Sequence, residues 1–169
     1  MGVACFGPLC LNRASQDFGS ITSTPKPNWQ NTPVLSHLKG RIDAKKEGFK
    51  SGIETDVNAA ALLEYHHGNH KEVSESICYI TVGTGIGVGL VFHGKPVHGL
   101  VHGEGGHMRV AIHPKDKDFE GNCPFHGNCL EGLCSNNAIV KRLGLNNEKD
   151  LPALDDENEV WDIIADYLG

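Results

Sequence analysis

The stretch Glu104 to Glu131 reads EGGHMRVAIHPKDKDFEGNCPFHGNCLE. Cys123-Pro-Phe-His126-Gly-Asn-Cys129 places three nitrogen or sulfur donors with two residues between each and the next, and Pro124, Gly127 and Asn128 among these curl the backbone. Zinc takes four such donors in a tetrahedron, and a site with all four filled by protein is structural. The fourth donor is expected from upstream, at His107 or His113. Two carboxylates, Glu104 and Glu131, bracket the stretch. Such a staple would hold them in one place, where they can bond polar hydroxyls.

Upstream lies Val82-Gly83-Thr84-Gly85-Ile86-Gly87-Val88, flanked by apolar runs at Ile77–Val82 and Val88–Phe92. The pattern predicts an antiparallel strand-turn-strand. Backbone N–H groups in a turn without β-carbons can approach phosphate oxygens closely, and Thr84 adds a hydroxyl. The turn is neither the Gly-Lys-Ser/Thr phosphate loop nor the dinucleotide fingerprint, because strand follows strand.

Further upstream, Gly52–Thr55 predicts a short strand and Asn58–His67 a helix ended by Gly68, with Asp56 as its cap. Asp56 therefore stands at a strand end and a helix N-terminus, where the dipole favours an ionised carboxylate. Gly2–Phe6 predicts a buried strand closed by Gly7-Pro8. Residues 12–29 predict a polar loop, and Thr32–Leu38 a short helix with Pro33 in its first turn. Lys141–Leu143 and Val160–Leu168 predict helices. On the second, Trp161, Ile164, Ala165 and Leu168 are expected to form the apolar stripe.

The chain has 169 residues, 15 basic and 21 acidic side chains and a net charge of −6. That is enough for a real core, and it argues against a nucleic-acid or anionic-membrane surface. No apolar run reaches the length of a membrane span, and no basic start with an apolar core marks a secretory signal. The six cysteines are expected to be reduced or metal-bound in the cytoplasm. Met1-Gly2 does not make a myristoylation signal, because Phe6 stands where Ser or Thr is wanted.

Taken together, Thr55-Asp56-Val57-Asn58-Ala-Ala-Ala61, Val82-Gly-Thr-Gly-Ile-Gly-Val88, Glu104-Gly-Gly-His107 and Cys123-Pro-Phe-His126-Gly-Asn-Cys129-Leu-Glu131-Gly132 resemble the ROK family of sugar kinases. Within it they look most like the bacterial-type fructokinases. Phe6-Gly7-Pro8 and Thr24-Pro25-Lys26 with Trp29 add to the likeness. The resemblance implies an α/β, actin-like, ribonuclease-H-like ATPase fold. It assigns residues 1–55 to the end of an N-terminal lobe and 56–169 to a C-terminal lobe with the zinc knuckle.

It implies Asp56 as catalytic base, with Asn58, Glu104, His107 and Glu131 at the sugar. Gly83, Thr84, Gly85 and Gly87 would lie at the ATP phosphates. Structural zinc would be held by His107, Cys123, His126 and Cys129, with magnesium accompanying ATP. The implied substrate is D-fructose, with glucose, mannose and N-acetylhexosamines as alternatives. The implied partners are sugar, ATP and a second copy of the chain. A non-catalytic sugar-binding protein on the same scaffold is the competing reading.

The resemblance also implies an Asp-x-Gly-Gly-Thr phosphate motif upstream and a Gly-Gly-Gly segment downstream. Neither occurs in these residues, which read as the middle half of such a kinase. A chain of that extent is expected to be weakly stable and to have little activity of its own. Leu9 and Cys10 depart from the more polar residues usual after Phe-Gly-Pro.

Overall fold

A computed structural model describes residues 1–42, 48–69, 75–99 and 101–169. The chain divides into two units, Met1–Tyr79 with Gly89–Gly103, and Ile80–Val88 with Glu104–Gly169. The chain mixes helices and strands, as expected of an α/β fold.

In the first unit, β1 (Gly2–Cys5) and β2 (Gly52–Thr55) pair in parallel, with Cys5 opposite Thr55. The segment between them is more than a loop lying over the strands. Leu9 and Ile21 form an antiparallel bridge, and Thr22 N–H donates to the Pro8 carbonyl. Both apolar side chains are buried, with Leu35 of α1 (Val34–Arg41) and Ile53 of β2, in a small core. Pro33 stands at the N-cap of α1, one residue before the helix, and α1 runs three residues beyond the expected end. Gly19 sits at φ +82°, and a β-carbon there would lie 2.5 Å from Leu35 Cβ. Glycine is thus what lets α1 dock.

The start of α2 (Asp56–His67) differs from expectation. Thr55 is the cap, accepting the Asn58 N–H on its hydroxyl, and Asp56 is the first helical residue. The backbone explains this: Thr55 keeps the extended geometry of β2, which a cap requires, whereas Asp56 has already turned into the helix. Gly68 does end α2, with its N–H on the Glu64 carbonyl. Its φ of −67° is open to any residue, so its role there is not one of conformational freedom.

β3 (Ser76–Val82), β4 (Ile86–Phe92) and β5 (Lys95–Pro96) form one sheet in that order, and β4 and β5 are antiparallel. A three-residue connection, Gly83–Gly85, joins neighbours β3 and β4, which only an antiparallel hairpin allows. The turn is shorter than the expected 83–87, because Ile86 and Gly87 are already in the strand.

In the second unit, Ile86 and Val88 pack with side chains from α3 (Leu130–Cys134), α4 (Asn136–Leu143) and α5 (Glu159–Leu168). α3 was not expected from the sequence. α4 begins earlier than expected, where Ser135 accepts the Ala138 N–H, and ends at Gly144 with φ +64°. The buried face of α5 is Val160, Ile163, Ile164 and Tyr167, spaced i, i+3, i+4, i+7. The expected stripe was out of phase: Ala165 and Leu168 face solvent. Trp161 misled the reading. Its indole N–H donates to the Asp155 carbonyl at 3.0 Å, so the ring lies along the rim of the core.

A buried ion pair ties these helices together. Arg142 donates to both carboxylate oxygens of Asp116, at 2.9 and 2.7 Å, and to the Leu133 carbonyl at the end of α3. Tyr167 of α5 donates to Asp116 at 3.0 Å and accepts the His113 N–H. Burial alone would raise the Asp116 carboxyl. Hydrogen bonds from Arg142 and Tyr167 and the guanidinium charge overcome it and hold the group below its usual range. Burial, with the adjoining carboxylate, pushes the Tyr167 phenol up to about 12.

Asp116→Asn leaves a buried guanidinium unpaired. It is expected to cost roughly 3–5 kcal/mol in urea unfolding followed by Trp161 fluorescence in a Trp29→Phe background. Because Asp116 is depressed in the folded state, its stabilisation is full above the unfolded carboxyl value of about 3.9 and is lost as pH falls through the folded value. The wild-type midpoint should therefore fall in acid more steeply than that of Asp116→Asn.

Candidate active site and metal centre

The Cys-x2-His-x2-Cys segment folds as a tight knuckle. Cys123 and Gly127 exchange backbone hydrogen bonds at 3.1 and 2.9 Å. Gly132, in the middle of the following five-residue helix, comes so close that a β-carbon there would sit 1.8 Å from the Gly127 carbonyl oxygen. The close approach turns Cys129, the cap position of α3, back toward Cys123.

His107 comes from the Glu104-Gly-Gly-His turn, which lies flat on β4. A β-carbon at Gly106 would be 2.0 Å from the Ile86 carbonyl oxygen. His107 Nδ1 stands 3.6 Å from Cys123 Sγ and 3.5 Å from Cys129 Sγ, and His126 Nδ1 is 3.8 Å from Cys123 Sγ. The four donors lie within 4.8 Å of one another. Donors at about 2.0–2.3 Å from a tetrahedral ion are about 3.3–3.8 Å apart; the three quoted contacts match that spacing, and the wider spread of the set would close by about 1 Å around an ion.

His113 is elsewhere: its ring accepts the Lys115 N–H and its backbone bonds Tyr167. Burial raises the Cys129 thiol, and the neighbouring Cys123 and Glu131 act in the same direction. A cation at the centre would favour both thiolates instead. Cys134, fully buried, has its thiol pushed up to about 12 by burial and lies outside the four-donor group.

Glu131 links the knuckle to the glycine turn. Its Oε2 accepts the Ile86 N–H at 3.0 Å, and Oε1 lies 3.9 Å from His107 Nδ1. The close contact of Gly85 with this carboxylate leaves no room for a side chain: a β-carbon there would be 2.7 Å from Oε2. Glu104 opens the histidine turn in a left-handed conformation, φ 44° and ψ 46°. The second unit thus gathers the turn Gly83-Thr84-Gly85, Gly87, His107, Glu131 and the knuckle.

The turn has further supports that the sequence did not reveal. Asn136 N–H donates to the Gly83 carbonyl at 2.7 Å, and the Asn137 amide donates to the Thr84 carbonyl. Gly87 N–H donates to the Thr81 hydroxyl. The Thr84 hydroxyl, expected at phosphate, donates to Glu148 at 3.2 Å.

Asp56 and Asn58 belong to the first unit. Asp56 sits at the carboxyl ends of parallel β1 and β2, where open α/β sheets place their ligands. It is exposed, and its Oδ1 accepts the Val57 N–H at 3.0 Å. Burial raises the neighbouring Cys5 thiol, and the Asp56 charge adds to this. Beyond Cys5, Phe6 meets the Trp29 ring edge-on at 5.3 Å, with the Lys26 ammonium 3.6 Å from the Phe6 centroid.

Asn58 is fully buried. Its oxygen accepts the Leu90 N–H at 3.2 Å and its amide donates to Glu54 at 3.2 Å. Glu54 and His98, 2.8 Å apart, were missed by the sequence reading. A carboxylate just before a cap and a histidine after a hairpin, far apart in the chain, carry no local pattern.

The ROK family model matches residues 1–162. The chain belongs to the ROK family. It is 48% identical to a fructokinase of Zymomonas mobilis over 99% of this chain and 53% of the relative. Its fold is that of ROK sugar kinases, the actin-like ATPase fold. The ROK hexokinase of Thermus thermophilus superposes with TM-score 0.64 at 26% identity, over 99% of this chain and 54% of that one. The ROK glucokinase of Streptomyces griseus, solved with glucose and AMPPNP, gives TM-score 0.61 at 26% identity, over 99% and 51%. This ROK chain spans about half the length of the curated relatives it matches.

In the ROK knuckle, Gly132→Ala should force the two backbones apart. Cys123 and Cys129 should then react with a thiol reagent at least about tenfold faster, the opening being worth more than 1.4 kcal/mol. Gly103→Ala, which meets nothing within 4 Å, should leave the rates unchanged.

Proposed function

We propose that the complete polypeptide carrying this sequence transfers the γ-phosphoryl group of ATP to a hexose, converting D-fructose to fructose 6-phosphate. The observation that carries this reading is the placement of Asp56. Its carboxylate is exposed at the carboxyl end of β2 and the start of α2, and capping is left to Thr55. Asp56 would accept the proton of the sugar hydroxyl as that oxygen attacks phosphorus and the bond to ADP breaks. Such transfer depends mostly on positioning and charge stabilisation. The turn of Gly83, Thr84, Gly85 and Gly87 would face the phosphates. Magnesium bound with ATP would neutralise their charge.

Glu104, His107 and Glu131 would bond sugar hydroxyls, and Asn58 would stand behind Asp56. In this reading residues 1–55 close an N-terminal lobe and residues 56–169 make a C-terminal one. His107, Cys123, His126 and Cys129 would hold a structural zinc ion, which fixes His107 and, through the following helix, Glu131. The fructokinase relative supports fructose as the sugar. All six cysteines are free of disulfides, which suits a cytoplasmic protein. No described helix is long and apolar enough to cross a membrane. A homodimer is the assembly we expect.

The test is a coupled assay with ATP and fructose, glucose, mannose and N-acetylmannosamine in turn. Asp56→Asn should lower kcat by about 10²–10⁴-fold with little change in KM. Binding of fructose without ADP release would favour the non-catalytic reading instead. Metal analysis should find one zinc per chain, and Cys123→Ser with Cys129→Ser should abolish it.

A further inference from the structure

The residues on either side of Asp56 are bridged by a side chain that no motif marks. Glu54, the last residue of β2 before the cap, has a side chain only 18% exposed. Its Oε1 accepts two hydrogen bonds, from Thr55 N–H at 2.9 Å and from the Asn58 amide at 3.2 Å. Thr55 and Asn58 lie on either side of the Asp56-Val57 pair and are bonded to each other through the Thr55 hydroxyl. Glu54 Oε2 is 2.8 Å from His98 Nε2, on the segment after β5. The Asn58 oxygen takes the Leu90 N–H of β4. The first turn of α2 is therefore fastened to its own strand, to β4 and to the segment after β5.

We infer that Glu54 is a positioning residue for Asp56, acting through Thr55 and Asn58 and itself held in place by His98. The inference rests on the reading of Asp56 as the base. The helix does not need Glu54 for its cap, because Thr55 already fills that role. What Glu54 adds is a staple across the one turn whose displacement would move the Asp56 carboxylate. A misplacement of about 1 Å at a reacting group can cost about 10²-fold in rate. The neighbours favour this over a simple surface ion pair. One carboxylate oxygen is committed to two donors, and Asn58, to which it bonds, is fully buried.

The test uses the complete polypeptide with Glu54→Ala, Glu54→Gln and His98→Ala. Glutamine keeps a carbonyl oxygen for Thr55 and Asn58 and offers an amide N–H to a neutral His98 ring. Glu54→Ala should lower kcat about 10–100-fold while KM for both substrates stays within about twofold. Glu54→Gln should recover most of the loss, and His98→Ala should fall between them. Amide exchange at Val57 and Asn58 should quicken in Glu54→Ala while exchange in α5 stays unchanged.

The inference is overturned if Glu54→Ala keeps its kcat, if glutamine is as damaging as alanine, or if exchange quickens throughout the chain. If the unaltered protein phosphorylates no hexose, the kinase reading falls separately. Local exchange in Glu54→Ala then decides the bridge by itself: acceleration confined to α2's first turn supports it, and none refutes it.

Discussion

A carboxylate and a guanidinium withdrawn from water hold the second unit together. Desolvating Asp116 and Arg142 is costly, and their pairing offsets that only because the geometry is bidentate and further donors and acceptors are at hand. Tyr167, the Leu133 carbonyl and the face of Phe119, 4.2 Å from the guanidinium carbon, surround the pair, and among the described residues only Arg142 Nη1 is buried without a hydrogen-bond partner. Each partner comes from a different piece of chain. The pair therefore fixes α3, α4, α5 and the loop at 113–119 in one arrangement. Apolar packing of Ile163, Ile164 and Leu133 alone would tolerate sliding; a directional ion pair does not.

That arrangement holds the part of the candidate site that belongs to the second unit. α3 begins at the knuckle and carries Glu131 on its first turn, and α4 begins at the amide groups that fasten the glycine turn. The apolar face of α5 backs both helices. Glu131 and the amides that support the glycine turn thus lie at the amino-terminal ends of two short helices. Their backbones are anchored below by the Asp116–Arg142 pair.

Much of this was legible in the residues. Apolar runs on either side of a glycine turn marked β3 and β4, and the spacing of Cys123, His126 and Cys129 marked the knuckle. Thr55 through Ala61 marked the strand-to-helix junction. The errors have local physical causes. Asp56 is a good cap by residue type, but the extended backbone of the preceding residue gave the cap to Thr55. Trp161 is large and apolar, yet its N–H needed a carbonyl, so the true face of α5 was one position out of phase. By spacing His107 and His113 were equivalent donors; the resemblance favoured His107, and the close approach of Gly106 to Ile86 sets the turn that carries it. Asp116, Arg142, Glu54 and His98 are ordinary charged residues in sequence. Only contacts between distant segments give them a role, and a local pattern cannot display such contacts.

Glu131 follows Cys129 by two residues and reaches the Ile86 N–H with one oxygen, while the other faces His107. The knuckle and the glycine turn are therefore coupled in series through one short, stiff link. A displacement at the cysteines is passed to the turn through a single hydrogen bond, from Ile86 N–H to Glu131. Ligand-side motion of the turn, in return, loads the donor cluster. The two features that read as separate motifs behave mechanically as a single part.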